Sequence, residues 1–167
     1  MARQLWLLRH AEAEPHGSRE DSARRLTERG EQQARAAGTA IARIGGRFDA
    51  VLYSPKVRAA QTAELAAEAW DEDLRARRMA VHAPLAGGFD ASQALETMSG
   101  FGAECKVMLV GHEPDLSDVA AALTGGNVDL KKGGLAVLRL EGPRAELAVL
   151  MRPRELALIA NVPVGGH

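Results

Sequence analysis

The 167-residue chain predicts a three-layer α/β fold around a mostly parallel sheet, finished by a C-terminal antiparallel hairpin. Three observations carry this. Leu5–Leu8 and Val107–Val110 are wholly apolar runs without polar alternation, the pattern of parallel strands covered on both faces. Segments of helical period lie between the strand-like runs and end at glycines. The last third then changes character, with Leu135–Leu140 and Glu146–Met151 flanking Glu141-Gly142-Pro143-Arg144, a turn between two strands.

The elements follow in order. Leu5–Leu8 is the first strand. Glu12 to Arg25 is a long polar loop holding Pro15 and Gly17, and long loops in compact domains are often functional. Thr27 reads as a helix N-cap, with Glu28 and Glu31 in the first turn. That helix carries Ala34, Ala37, Ile41 and Ile44 on one face and stops at Gly45-Gly46. Asp49–Tyr53 is the second strand. Ser54 is expected to cap a second helix, with Pro55 at its first position and its end near Trp70. Asp71 to Arg78 is charged and expected to be exposed. Met79–His82 is a short third strand, Ala91–Phe101 a helix, Val107–Val110 the next strand, and Asp115–Leu123 a helix stopped by Gly125-Gly126.

The length suits one domain, residues 1–167, and no linker or repeat divides it. A net charge of −1 argues against a general nucleic-acid binder. Cys105 is the only cysteine, so neither an internal disulfide nor a zinc cluster is expected, as in a reducing compartment. No stretch has the length and apolarity of a signal peptide or a membrane span, so a cytoplasmic protein without a membrane partner is expected.

His10 and His112 each follow the C-terminal end of a strand, and Ser54-Pro55 ends a third, with Arg58 one turn further on. Ligands of open parallel sheets bind at that edge. Each residue alone is an ordinary loop or helix-surface residue. Together, Arg9, His10, Arg58 and His112 make a set suited to phosphoryl chemistry. Arginine guanidiniums grip phosphate oxygens in a planar fork. A neutral imidazole can attack phosphorus and carry the phosphoryl group until water releases it, and a second histidine can donate hydrogen bonds to the developing charge. The arginines supply the countercharge, so no metal or other cofactor is expected.

Arg9-His10-Ala11, Leu26-Thr27-Glu28-Arg29-Gly30, Ser54-Pro55-Lys56-Val57-Arg58-Ala59-Ala60-Gln61-Thr62 and Gly111-His112-Glu113-Pro114, in this order, resemble the histidine phosphatase superfamily, with its phosphoglycerate mutase-like fold. The small size and lack of a cap insertion make the chain most similar to the SixA-type phosphohistidine phosphatases. The resemblance implies that His10 is the phosphorylated nucleophile, that Arg9 and Arg58 hold the phosphoryl oxygens beside Gly111, and that His112 stabilises the transition state. Ala11 stands where the family pattern has glycine. If the backbone there needs a positive φ, alanine strains the pocket.

Many superfamily members place a carboxylate general acid after the third strand, where this chain reads Pro84-Leu85-Ala86-Gly87-Gly88-Phe89-Asp90. Asp90 is the nearest carboxylate, and it is also placed to cap the helix beginning at Ala91. Glu12, Glu14 and Glu113 are further candidates. A missing acid favours a phosphohistidine substrate, because imidazole, with a free pKa of about 6.5, leaves readily as a neutral ring. The expected function is therefore a metal-independent phosphatase acting on phosphohistidine of a signalling or phosphotransfer protein. A small-molecule phosphomonoesterase acting on a phosphorylated metabolite, and a binding module with little turnover, are the alternatives. His16 and Lys131-Lys132 are read as rim or solvent residues, and His82 and Cys105 as structural.

Overall fold

The computed structural model describes residues 2–164. Its sheet has six strands: β1 (Arg3–Arg9), β2 (Ala50–Tyr53), β3 (Met79–Val81), β4 (Lys106–Gly111), β5 (Leu135–Glu141) and β6 (Arg144–Met151). They lie in the order β3-β2-β4-β1-β5-β6. The first four are mutually parallel, β5 runs antiparallel to β1, and β6 runs antiparallel to β5.

Both faces are covered, which is why the central strands are apolar throughout. Trp6 and Leu8 of β1, with Met108 and Val110 of β4, point into one core. It is closed by α1 (Glu28–Arg43), α2 (Val57–Ala67) and α6 (Pro153–Ala160). Leu5, Leu7, Val107 and Leu109 point the other way, into a core closed by α4 (Ala91–Ser99) and α5 (Asp115–Thr124). Successive side chains of one strand thus serve opposite cores, as the period of two requires.

Thr27 caps α1 as expected, its Oγ1 accepting from Gly30 N at 3.0 Å. Four expectations need correction. Ser54 does not cap α2, which begins at Val57 after Lys56. Ser54 Oγ instead accepts from Lys56 N at 3.2 Å, turning the chain before the helix starts. Residues Asp71 to Arg78 are not merely exposed. Asp71 caps a short helix, α3 (Glu72–Arg77), by accepting from Leu74 N at 2.9 Å, and Leu74 is buried. Ile44 leaves the buried face of α1, because the helix ends at Arg43 and turns Ile44 to solvent. Helix α6 was not expected at all. It opens with Pro153 in its first turn and Glu155 bonded back to Arg152, and buries Leu156 and Ala160 against α1.

The topology brings strand ends together. Arg9 lies opposite Gly111 across β1 and β4. His10 N donates to Gly111 O at 3.0 Å, and Ser54 N donates to Val110 O at 3.0 Å. The C-terminal ends of β1, β4 and β2 therefore form one edge.

Candidate active site

His10 is held from several sides. Its backbone N–H is on Gly111, its carbonyl accepts from Gly133 N at 2.9 Å, and its side chain is buried. Its Nδ1 lies 2.7 Å from Ala11 O. A carbonyl only accepts, so Nδ1 carries the proton and Nε2 keeps its lone pair. Burial pushes the imidazole pKa down to about 3; the Ala11 carbonyl opposes this, and His112, Arg58 and Arg9 add to it. At neutral pH His10 is an uncharged ring with a free basic nitrogen.

His112 faces it, with ring centroids 5.3 Å apart. Its Nε2 lies 2.7 Å from Ser54 Oγ. That hydroxyl already accepts from Lys56 N, and Ser54 is fully buried. Its own proton finds an acceptor on His112 Nε2, which leaves Nδ1 as the N–H. His112 Nδ1 is buried and has no hydrogen-bond partner. Burial, with Arg58 and Lys56 adding to it, depresses its pKa to about 4.

The two arginines repeat the pattern. Arg9 Nη1 donates to Leu130 O at 3.0 Å, and Arg58 Nη1 donates to Asp21 O at 2.7 Å. The Nε of each is buried without a partner. Among the described residues four buried side-chain nitrogens lack a partner, and three of them belong to Arg9, Arg58 and His112. Buried N–H groups are ordinarily satisfied, so donors left over on a set of charged and polar side chains describe a place for an anion.

The polar loop is the part that the sequence left uninterpreted. It contains a 3-10 turn, Asp21–Ala23, and is pinned by a bridge between Ala13 and Leu26. Asp21 bonds Lys56 at 3.1 Å, Arg24 at 2.9 Å and Arg58 at 3.4 Å. The Lys56 bond, then Arg24 and the Arg58 charge, hold its carboxyl well below the usual carboxylate range. The motif after β2 does positioning as well. Thr62 Oγ1 accepts from Ala11 N at 3.1 Å and donates to Arg58 O at 2.7 Å. Gln61 Oε1 accepts from Leu26 N at 2.8 Å. Ser54, Thr62 and Gln61 lie inside the Ser54–Thr62 motif, yet only their partners give them roles; Asp21 had no local signal.

The four expected residues come together at this edge. The acid candidates are engaged elsewhere. Asp90 caps α4, its Oδ1 accepting from Gln93 N at 2.9 Å while Gln93 Oε1 accepts from Asp90 N. Glu12 is bonded by Thr27 Oγ1 at 2.8 Å and paired with Arg29. Glu14 Oε1 accepts from Arg25 N at 2.7 Å. Glu113 accepts from Ser117 N at 3.0 Å and from the Ser117 hydroxyl. Ala11 is unstrained: Asn161 is the one non-glycine residue with positive φ among those described. Its methyl packs beside Leu26 and Ala34. Gly111 contributes its carbonyl to His10, and a Cβ there would meet Leu116 and Leu85 only at 3.6 Å, so space does not demand glycine. His16 is exposed, 3.9 Å from Asp21. His82 packs on Phe89, and Cys105 is buried. No helix among the described residues is long and apolar enough to cross a membrane.

Residues 5–79 match the model of the histidine phosphatase superfamily, branch 1. An uncharacterised protein of Picosynechococcus sp. is 30% identical over 170 residues, covering 92% of this chain and 98% of that protein. Among solved structures, the protein histidine phosphatase SixA complexed with tungstate superposes with a TM-score of 0.80 at 23% identity, over 92% of this chain and 99% of that one. A chain from Agrobacterium tumefaciens classed as a SixA phosphohistidine phosphatase gives 0.76 at 25% identity, over 92% and 99%. The alpha-ribazole phosphatase of Shigella flexneri gives 0.71 at 20% identity, over 90% and 96%. The chain belongs to the histidine phosphatase superfamily, and its fold is that of the SixA-like structures.

Proposed function

We propose that this chain is a metal-independent phosphatase that works through a phosphohistidine on His10 and takes phosphohistidine on a protein as its substrate. The observation that carries the proposal is the state of His10: a buried, neutral imidazole whose Nδ1 is committed to Ala11 O, with Nε2 free. Nε2 attacks phosphorus in line. The N–P bond to His10 forms as the bond from phosphorus to the leaving atom breaks. Arg9 and Arg58 hold the phosphoryl oxygens, and His112 Nδ1–H donates to the charge that grows on them, in a site where desolvation strengthens each contact. Water then attacks phosphorus from the side opposite Nε2, loses its proton to solvent, and the His10 N–P bond breaks.

The substrate class follows from the missing acid. Asp90, Glu12, Glu14 and Glu113 are bound up in caps and pairs, and Asp21 is held ionised. An alkoxide leaving group needs a positioned proton, whereas a substrate imidazole protonates from solution and leaves neutral. The SixA neighbour, named as a protein histidine phosphatase, supports the same reading.

The test is a substrate panel run in EDTA: a phosphohistidine protein, an aryl phosphate, and alkyl phosphates such as sugar and nucleoside monophosphates. The proposal expects turnover of the first two and slow reaction of the third. Fast alkyl phosphate hydrolysis with no action on phosphohistidine would make the chain a small-molecule phosphomonoesterase. Tight phosphate binding without turnover would make it a binding module.

A further inference from the structure

A cleft of about 780 Å³ lies beside the site and plays no part in the chemistry above. The first turns of α1 and α6, Lys131 of the loop before β5, and the segment after α6 line it. Among the described residues its charged lining residues are Arg29, Lys131, Arg152 and Arg154, with no Asp or Glu. From outside that lining Glu12 pairs with Arg29, Asp129 with Lys131, and Glu155 with both Arg152 and Arg154, so four cations face three carboxylates. The apolar part includes Leu158, 74% exposed, and Val162, 41% exposed, two of the five large hydrophobic residues that are exposed among those described. Long cations beside exposed aliphatic side chains form a surface for a partner that is acidic and partly apolar.

The position of the cleft says which partner. Leu8 at the end of β1 lies opposite Leu135, and Leu135 lies opposite Met151 at the end of β6. Arg152 therefore stands at the same sheet edge as His10, two strands away, or roughly 10 Å at the usual strand spacing. The loop holding Lys131 also touches the site: Gly133 N donates to His10 O, and Leu130 O accepts from Arg9. A protein placing a phosphorylated side chain over His10 would extend across this cleft. A free phosphorylated metabolite reaching only His10, Arg9 and Arg58 would not.

We propose that this cleft docks an acidic, partly apolar face of the phosphorylated protein substrate. The proposal rests on the phosphohistidine-protein reading for the identity of the occupant. Charge of this kind acts on encounter and on KM more than on the chemical step.

The test uses Arg154→Glu combined with Leu158→Glu, both exposed on α6 and outside the catalytic set. The probes are an acidic histidine-phosphotransfer domain, phosphorylated with phosphoramidate, and free phosphohistidine. Binding of the fluorescently labelled domain is read by anisotropy, and turnover by phosphate release. The expected result is binding weakened about tenfold or more, with a matching rise in KM for the domain. Turnover of free phosphohistidine should stay within about twofold, since surface substitutions of this kind leave the fold intact. Equal binding by the variant and the native chain overturns the docking proposal. So does a parallel loss on both probes, or binding of anionic lipid vesicles in place of the domain. If the native chain binds the domain through the cleft but dephosphorylates neither probe, docking stands and the phosphohistidine reading falls.

Discussion

Thr62→Val isolates the support beneath His10. Thr62 is fully buried, and its hydroxyl joins two parts of the site by accepting from Ala11 N at 3.1 Å and donating to Arg58 O at 2.7 Å. Valine fills nearly the same volume, so packing is kept and the hydroxyl alone is removed. The Ala11 N–H then has no partner in a buried place, a loss of about 1–3 kcal/mol. The same residue's carbonyl fixes the tautomer and direction of His10 through Nδ1. A small rotation of Ala11 therefore misdirects Nε2, and misplacement on this scale lowers kcat by about 10–100-fold. KM for an aryl phosphate should change less, since Arg9 and Arg58 remain. Urea unfolding and steady-state kinetics on the aryl phosphate read the two effects. Thr62→Ser keeps the hydroxyl and should recover most of both. A valine variant with native stability and native kcat would refute the idea that this hydrogen bond positions His10.

Arg9→Lys and Arg58→Lys should each lower kcat/KM on the aryl phosphate by about a hundredfold, because lysine keeps the charge but not the planar set of donors. Near-native rates in both would mean that bulk charge holds the phosphate. Stability should fall as pH drops from 6.5 towards 4. His10 and His112 have pKa values pushed down to about 3 and about 4, so in this window the unfolded chain binds protons that the native chain does not. At pH 5 each histidine lowers stability by up to about 2 kcal/mol relative to pH above 6.5. Urea unfolding of the native chain and of His10→Asn at pH 7.5 and pH 5 checks this, and equal losses would contradict a buried neutral His10. Asp90→Asn keeps an N-cap of equal quality and should change neither stability nor the leaving-group dependence in single turnover. A dependence that steepens in that variant would make Asp90 a general acid and weaken the phosphohistidine reading.

The fold was legible where one local signal had one meaning. The unbroken apolar runs of β1 and β4, the Thr27 cap and the turn at Gly142 each left few alternatives. Helices α3 and α6 were not, because they are short and their apolar residues, Leu74 and Leu156, become a pattern only against the core that receives them. The four charged and imidazole residues of the site stood out because strand ends in a parallel sheet share an edge. Ser54 misled, because a serine before proline is a normal helix cap, and its hydroxyl is instead held by His112 across 58 positions. Asp21 was invisible for a similar reason. Its partners Lys56 and Arg58 are 35 and 37 residues away, joined to it only by the return of the polar loop. The Asp90 cap, by contrast, rests on Gln93 three residues on, and local reading could weigh it.

The most direct measurement is of the covalent intermediate itself. The enzyme is mixed with excess aryl phosphate, denatured in base within the first turnover, and digested for mass spectrometry. Covalent catalysis at His10 predicts one phosphate there, stable in base, lost in acid, and absent from His10→Ala that remains folded by circular dichroism. An unmodified His10 during active turnover, or a His10→Ala variant that still turns over at a substantial rate, would contradict it.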